Sequence, residues 1–329
     1  MEVNSRSFLF QALSAAQLQE FSLRYLQEPL IHAKLMSGGL FNTTYLLETS
    51  RQKAVLRLGP VNRHLLLPYE ENLMEAEGLL MALLAKKGIP TSTVLALDTS
   101  RTFLDRDFML AAYLPADSMA NAGLPEPEIA RLSRQVGELT RKMHAITAAD
   151  LPSLLEKPYG RCALVLSGQG CATWREAILQ EAEQWQNFAR RVSLFPETEF
   201  ARIDRCFQRL APLLDAVSQP CFVHGDLWHG NILVSKTGEL MAIIDCDRAL
   251  FGDPEFELAT GWMIGADFLG GYGRQPDSSP EAALRRGLYK LLLDLEDCYF
   301  LRHEYDNPTA SDAVAEQILS AVAKLETAF

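Results

Sequence analysis

Three short apolar segments stand close together in the second half of the sequence, and polar residues fill the gaps between them. The segments are residues 220–223, 232–234 and 240–244. Apolar runs of this length, bounded by turn-forming residues, are typical of buried β-strands. Residues 235–238, Ser-Lys-Thr-Gly, predict a tight turn between the second and third segments. We therefore expect a loop and a hairpin that bring the intervening polar residues to one end of a small sheet.

These polar residues carry oxygen atoms at an informative spacing. Asp226 and Asn231 lie in the loop, and Asp245 directly follows the third segment. Phosphoryl-transfer sites use one carboxylate to orient the attacking hydroxyl, while an amide and a second carboxylate hold Mg²⁺ against the nucleotide phosphates. Amide and carboxylate oxygens are also ligands that Mg²⁺ prefers. The spacing predicts Asp226 as the catalytic residue, Asn231 and Asp245 as metal ligands, and ATP with Mg²⁺ as cofactors.

The same segment resembles the aminoglycoside phosphotransferase and choline kinase family of kinase-like small-molecule phosphotransferases. Members of that family carry H-G-D-x-x-x-x-N, then an I-D pair and then a G-D-P segment. Residues 224–231, 244–245 and 252–254 match these three motifs in order. Glu257 stands where the family usually has Asp, a change that keeps the negative charge.

The resemblance implies an α+β, protein-kinase-like two-lobed fold. A small antiparallel-sheet lobe, residues 1–114, would bind the nucleotide, and a larger helix-rich lobe, residues 115–329, would carry the catalytic loop and the substrate site. Helical periodicity of apolar residues is consistent with this division. The predicted helices are residues 16–27, 70–87, 126–146, 173–192, 200–217, 282–304 and 311–328.

Towards the N-terminus the resemblance implies the nucleotide contacts. Arg57 takes the place of the phosphate-pairing lysine and pairs with Glu75 or Glu77, of which we favour Glu77. Glycines allow main-chain N–H groups to approach phosphates closely. The implied nucleotide-binding residues are Ser37, Gly38, Gly39, Asn42, Thr43, Arg57 and Glu77, with main-chain groups of Ala112 and Leu114 at the adenine.

Composition restricts the partners. The formal net charge is −11 and no basic stripe is present, so nucleic acid is an unsuitable partner. An acidic group near the C-terminus is compatible with a cationic acceptor, since carboxylates concentrate amines, and equally with an ordinary acidic surface. The members of this acidic group are Asp294, Glu296, Asp297, Glu304 and Asp306.

Location and assembly are less well constrained. Six cysteines show no C-x-x-C spacing, which argues against a zinc site or a disulfide framework. No signal-peptide pattern and no apolar run of 18 residues are present, so we expect a cytoplasmic protein without a membrane span. We expect His224 to pack against the loop backbone, while a role for His229 and the oligomeric state are not indicated.

The sequence is compatible with three alternative interpretations. Ser50 with Lys53, and Lys236 to Gly238, match the S-x-x-K and K-T-G motifs of serine β-lactamases, but Ser50 is expected in a hairpin turn instead of at a helix start. A nucleotide-binding regulator without catalysis is a second alternative. The third concerns the acceptor, which the sequence leaves open among aminoglycosides, other amine-bearing alcohols, choline-type compounds, sugars and proteins. The sequence favours an ATP-dependent phosphotransferase that acts on a small-molecule hydroxyl.

Overall fold

The computed structural model describes residues 8–36, 41–151 and 156–328. The chain forms two compact units. The first, here called the sheet unit, contains Met1–Asp117 and Leu233–Asp247, and the second, the helical unit, contains Ser118–Ile232 and Arg248–Phe329. The predicted functional division at residues 114 and 115 stays a prediction, because these units are defined by their internal packing alone.

Strands and helices are both distributed along the whole described chain. The strands are β1 (His32–Leu35), β2 (Thr43–Glu48), β3 (Lys53–Leu58), β4 (Val94–Asp98), β5 (Phe108–Ala112), β6 (Ala116–Ser118), β7 (Gly160–Arg161), β8 (Cys221–Val223), β9 (Ile232–Ser235), β10 (Leu240–Ile243) and β11 (Leu250–Gly252). The helices are α1 (Ala15–Phe21), α2 (Leu73–Lys86), α3 (Glu126–Met143), α4 (Cys162–Leu166), α5 (Trp174–Arg191), α6 (Glu197–Leu210), α7 (Glu255–Thr260), α8 (Ala266–Tyr272), α9 (Pro280–His303) and α10 (Pro308–Glu326).

The main sheet of the sheet unit has five antiparallel strands in the order β1-β2-β3-β5-β4. Side chains alternate between its two faces, as the pleat of a strand requires. Leu56 and Leu58 of β3 are fully buried on one face, in a core with Phe21 and Phe108. Arg57, between the two leucines, therefore points to the opposite face of the sheet.

The N-terminal helix covers the apolar face of this sheet. Ser14 and Gln17 form a capping box that starts α1. The helix continues as a π-helix, Ser22–Leu26, and ends where Gln27 adopts a left-handed conformation. The predicted helix over residues 16–27 thus exists, but its second half is wound more loosely than an α-helix. Tyr25 in this half stacks on Phe21.

The helical unit is built around α9, whose leucines are buried on several sides. Two small sheets, with the orders β10-β9-β6 and β7-β11-β8, complete the strand content of the described residues. In the second of these, β8 lies beside β11, with Val223 opposite Leu250. The antiparallel-sheet part and the helix-rich part confirm the predicted α+β class.

The fold bears on the β-lactamase-like motif, and the helices were also compared with the requirements of a membrane span. Ser50 lies in the turn between β2 and β3, where the Thr49 main-chain N–H donates to the Gln52 carbonyl oxygen. The S-x-x-K motif therefore lacks the helix start that serine β-lactamase chemistry needs. Of the helices in the described ranges, none combines the length and the hydropathy required to cross a bilayer.

Candidate active site

The loop after β8 depends on glycine at position 225. Gly225 has a φ angle of 78°, in the left-handed region that residues with a Cβ rarely adopt. A Cβ on Gly225 would also overlap the main-chain carbonyl oxygen of Arg248. Conformation and space together restrict this position to glycine.

Asp226 and Asn231 are joined by hydrogen bonds within this loop. The Nδ2 group of Asn231 donates to the main-chain carbonyl oxygen and to Oδ2 of Asp226, at 2.8 Å in each case. Asn231 is buried at the end of a short 3-10 turn, His229–Asn231. Because the amide nitrogen faces Asp226, the amide oxygen of Asn231 faces away from it. The structure brings these two predicted residues together, while their roles in catalysis and metal binding stay predictions.

Glu257 binds the main chain at the start of this loop. Its Oε2 atom accepts the main-chain N–H of His224 at 2.7 Å and lies 3.5 Å from the main-chain nitrogen of Gly225. Burial on its own raises the pKa of this carboxyl, but the opposing effects of His144 and His224 outweigh burial and lower the pKa below its ordinary value. Glu257 is therefore a buried carboxylate that fixes the backbone just before Asp226.

The histidines and the tryptophan of the loop differ in their surroundings. His224 is fully buried, and its Nδ1 accepts the main-chain N–H of Asp226 at 3.3 Å. His229 offers its carbonyl oxygen to the Ala120 N–H. The Trp228 indole is 43% exposed and covers Gly230, where any Cβ would overlap the ring. The loop thus presents a flat aromatic surface two residues after Asp226.

In the sheet unit, Arg57 joins two carboxylates. Its Nη1 pairs with Glu77, and its Nη2 lies 3.1 Å from Oδ1 of Asp245. Burial by itself lowers the pKa of the Arg57 guanidinium, but Glu77 and Asp245 overcome burial and raise the pKa. Glu75 is exposed, so Glu77 is the partner of Arg57.

Asp245 adopts an unusual backbone conformation for a residue other than glycine. Its φ angle is 70°, and left-handed residues of this kind cost free energy and concentrate at functional sites. The preceding strand β10 is anchored by the Ile243 N–H, which donates to the Pro90 carbonyl oxygen at 2.9 Å. The strained residue is therefore held in place by the sheet unit, with its carboxylate on Arg57.

The remaining predicted nucleotide contacts fall into three groups. Ser37, Gly38 and Gly39 lie outside the described residues. Among the described residues, Asn42 Oδ1 and Thr43 Oγ1 are buried without a hydrogen-bond partner. The main-chain groups of the predicted adenine contacts are partly engaged: Ala112 bonds to Thr93 and Ser92, and the Leu114 carbonyl oxygen accepts the Ala116 N–H.

The acidic group near the C-terminus is largely compensated by basic side chains. Glu296 is 2.8 Å from the buried Arg161, and Asp297 is 2.9 Å from Arg248. Asp294 pairs with Lys290 one helical turn away. Glu304 is buried and Asp306 is exposed. The sequence analysis treated these residues as one acidic group, whereas the partners of Glu296 and Asp297 come from other elements and are visible only in the fold.

Two features of the site were missed by sequence reasoning. The contact of Glu257 with the loop was not foreseen, although Glu257 was singled out as a departure from the motif. The exposure of Trp228 was not foreseen either, although a tryptophan inside a polar loop is a signal in itself. Glu257 contacts the backbone before Asp226 from helix α7, whereas Trp228 lies in the loop itself.

Comparisons with known proteins identify relatives of this chain. The model of the phosphotransferase enzyme family matches residues 32–288. Acyl-CoA dehydrogenase family member 10 of Mus musculus is 26% identical over 224 residues, which are 67% of this chain and 19% of that protein. The chloroplastic protein-ribulosamine 3-kinase of Oryza sativa subsp. japonica is 36% identical over 90 residues, which are 26% of this chain and 26% of that protein. The chain thus matches about a fifth to a quarter of the length of these curated relatives.

A solved structure gives the fold. A thermostable mutant of aminoglycoside phosphotransferase APH(4)-Ia, in ternary complex with AMP-PNP and hygromycin B, matches with a TM-score of 0.66 and 17% identity. The match covers 92% of this chain and 98% of that chain. At this identity the likeness establishes the fold alone, and it confirms the predicted kinase-like fold. Since the family model covers well over half of its length, the chain belongs to the phosphotransferase enzyme family.

Proposed function

We propose that this chain transfers the γ-phosphoryl group of ATP to a hydroxyl group of a small molecule. The observation that carries the proposal is the hydrogen-bonded pair of Asp226 and Asn231 on a loop that only glycine at position 225 permits. Such a loop holds a carboxylate and an amide in fixed directions before any substrate binds. Preorganised groups of this kind lower the barrier without having to reorganise during the reaction.

Asp226 is the proposed catalytic residue. Its carboxylate accepts a hydrogen bond from the acceptor hydroxyl and turns the oxygen lone pair towards the γ-phosphorus. Positioned general bases contribute about 10²–10⁴-fold to a rate. The hydroxyl proton passes to Asp226 as the new O–P bond forms, and ADP leaves on the opposite side.

The nucleotide is the proposed partner of the sheet unit. Arg57 is held by Glu77 with its guanidinium on the strand face opposite to the core, where planar N–H groups suit phosphate oxygens. Asn42 and Thr43, with their buried oxygens, belong with Ser37, Gly38 and Gly39 to the proposed phosphate loop. Because both main-chain groups of Ala112 are engaged, we assign the adenine contact mainly to the segment at Leu114.

Asn231 and Asp245 fit the role of magnesium ligands. Both offer oxygen donors, and Mg²⁺ is commonly held by one or two protein carboxylates together with phosphate oxygens and water. When bound, the ion would neutralise phosphate charge as it develops in the transition state.

The acceptor is proposed to be a hydroxyl-rich, sugar-like molecule with an amino group. The exposed Trp228 ring offers a flat apolar face of the kind that packs against C–H groups of a sugar ring. Asp294, Glu296 and Asp297 are each paired with a basic side chain, so they give little support to a polycation as the acceptor. The likeness to a ribulosamine 3-kinase over part of the chain is in line with a sugar amine.

A screen with a matched control tests this function. The full-length chain is incubated with Mg-ATP and, separately, a ribulosamine adduct, an aminoglycoside, choline, ethanolamine and free sugars. We expect acceptor-dependent ADP release and a phosphorylated product by mass spectrometry, both lost in Asp226→Asn. Binding of Mg-ATP by calorimetry without transfer to any acceptor would favour the nucleotide-binding regulator, and absence of Mg-ATP binding would refute the function altogether.

A further inference from the structure

A buried row of polar side chains, here called the polar row, runs from the end of α8 to the catalytic loop. Tyr272 Oη lies 2.7 Å from Nδ1 of His144. On the other side of the imidazole ring, His144 Nε2 lies 3.8 Å from Oε2 of Glu257. The same Oε2 accepts the His224 main-chain N–H at 2.7 Å. The polar row thus ends on the backbone that leads directly into Asp226.

Close packing of two helices holds the polar row in place. His144 is the C-terminal cap of α3, and Tyr272 is the last residue of α8. A Cβ at Gly137 of α3 would overlap the Phe268 carbonyl oxygen of α8, so the two helix backbones touch. The Tyr272 ring meets the His144 ring edge-on, with centroids 5.4 Å apart, and stacks on Phe268. Neither ring can move without disturbing the contact between the helices.

The positions of the protons follow from these neighbours. A neutral imidazole has one N–H donor and one acceptor nitrogen. A lone pair on Nε2 facing the Glu257 carboxylate would be repelled, whereas an N–H on Nε2 is attracted to it. Nδ1 is then the acceptor and the Tyr272 hydroxyl must donate to it. Burial raises the pKa of Tyr272 to about 12, so its hydroxyl keeps the proton that it donates.

We propose that Tyr272 and His144 are positioning residues of the phosphoryl-transfer site, because the Tyr272 hydroxyl selects the His144 tautomer that fixes the Glu257 carboxylate beneath the loop. The inference rests on the proposed function for its effect on rate, but not for the tautomer itself. Neither residue contacts the reacting atoms. Both act through Glu257, whose carboxylate sets the direction of the His224 and Gly225 main-chain N–H groups.

The length of the Glu257 side chain belongs to the same arrangement. Its carboxylate lies between the loop backbone on one side and His144 on the other. Aspartate is shorter by one methylene group, so with α7 in its present place it cannot keep both contacts. Glu257→Asp should therefore lower kcat even though aspartate is the usual residue of the motif. Glu257→Gln keeps an oxygen acceptor for the His224 N–H and should retain more activity than Glu257→Asp.

The tautomer is measured first, without turnover. Long-range ¹H–¹⁵N spectra of the histidine rings of the full-length chain identify His144 by the signal that disappears in His144→Gln. We expect an unprotonated Nδ1 and a protonated Nε2 in the wild-type protein, and a shift towards a mixture of tautomers in Tyr272→Phe. A wild-type His144 protonated on Nδ1 or on both nitrogens, or an unchanged spectrum in Tyr272→Phe, would overturn the proposal.

The rate is measured second, with a matched control. Tyr272→Phe keeps the ring packing and removes one buried hydrogen bond, so kcat should fall by about threefold to tenfold with KM for ATP nearly constant. Tyr289→Phe removes a comparable buried hydroxyl, bonded to Asp253 and Trp174, and should leave kcat of the folded protein unchanged. Equal kcat values in the two variants would refute the positioning role. Inactivity of the wild-type protein on every acceptor would refute the proposed function, and the tautomer would then be decided by the spectra alone.

Discussion

Nη2 of Arg57 lies 3.1 Å from Oδ1 of Asp245, although 188 positions separate the two residues in the sequence. Under the proposed function, one is a phosphate ligand and the other a magnesium ligand. Arg57 and Asp245 neutralise part of each other's charge in this ion pair. Phosphate on Arg57 and metal on Asp245 would compete with the contact, so that binding of either ligand favours binding of the other.

Arg57→Lys should weaken binding of Mg-ATP although it keeps the charge. Lysine pairs with Glu77 as a compact point charge and cannot hold phosphate oxygens in the bidentate way that the planar guanidinium can. We expect Mg-ATP affinity to fall by about tenfold, the order of one lost charge-assisted hydrogen bond.

Arg202→Lys provides the control for this substitution. Arg202 also joins two carboxylates, those of Glu199 and Glu326, but in the helical unit. Calorimetric titration with Mg-ATP should give the wild-type affinity for Arg202→Lys. Equal affinities of all three proteins would contradict the phosphate role of Arg57.

Asp245→Ala should abolish the dependence of nucleotide binding on magnesium. Without the carboxylate the metal loses its only proposed ligand in the sheet unit, and Arg57 remains beside Glu77. We expect ATP affinities measured with magnesium and with a chelator to become equal. An affinity for Mg-ATP that matches the wild-type value would show that Asp245 does not bind the metal.

Asp226→Asn should separate catalysis from binding. The asparagine has nearly the same shape, and its amide oxygen can still accept from Nδ2 of Asn231. It can no longer accept the hydroxyl proton, so kcat should fall by about 10²–10⁴-fold. Affinity for Mg-ATP should change little. Transfer to a good acceptor within a few-fold of the wild-type rate would eliminate the role assigned to Asp226.

Local sequence patterns were sufficient for much of this fold. The apolar runs around residues 220–244 became β8, β9 and β10, because short runs between turn residues have few other ways to be buried. The helix predicted over residues 173–192 became α5, which Thr173 and Glu176 start as a capping box. The contact of Asp226 with Asn231 is also local, since only four residues separate them.

Contacts between distant segments were beyond local patterns. Glu257 meets His224 across 33 residues, and His144 meets Tyr272 across 128 residues. Neither pair has a spacing that a helix or a hairpin imposes. The basic partners of Asp294, Glu296 and Asp297 include Arg161 and Arg248, which come from other elements. Composition therefore overstated the negative charge that this surface presents.

Gly225→Ala should lower both the stability and the catalytic activity of the protein. Gly168 has nearly the same φ angle, 79° against 78°, but nothing lies near the position of its Cβ. Gly168→Ala therefore measures the backbone strain alone, which is about 1–2 kcal/mol. Gly225→Ala adds the overlap with the Arg248 carbonyl oxygen and should cost more.

Denaturant unfolding of the two alanine variants gives the difference in free energy. Only Gly225→Ala should also lower kcat, since its overlap displaces the backbone next to Asp226. If both variants lost the same stability and kept the wild-type kcat, the steric restriction at position 225 would have no functional importance.

Glu257 should make stability depend on pH in the acid range. Burial on its own raises the pKa of Glu257, but His144 and His224 outweigh it and the pKa lies below the ordinary glutamate value. The folded protein thus binds this proton less tightly than the unfolded chain. The charged carboxylate stabilises the fold above the ordinary pKa of about 4.3, and this stabilisation is lost as the pH falls through the lowered value. The free energy of unfolding of Glu257→Gln should therefore lie furthest below that of the wild-type protein near neutral pH and approach it below about pH 4.

Glu197→Gln, at a largely exposed residue paired with Arg190, should follow the wild-type curve throughout. Parallel curves for wild type and Glu257→Gln down to about pH 3 would mean that Glu257 titrates alike in the folded and unfolded chains.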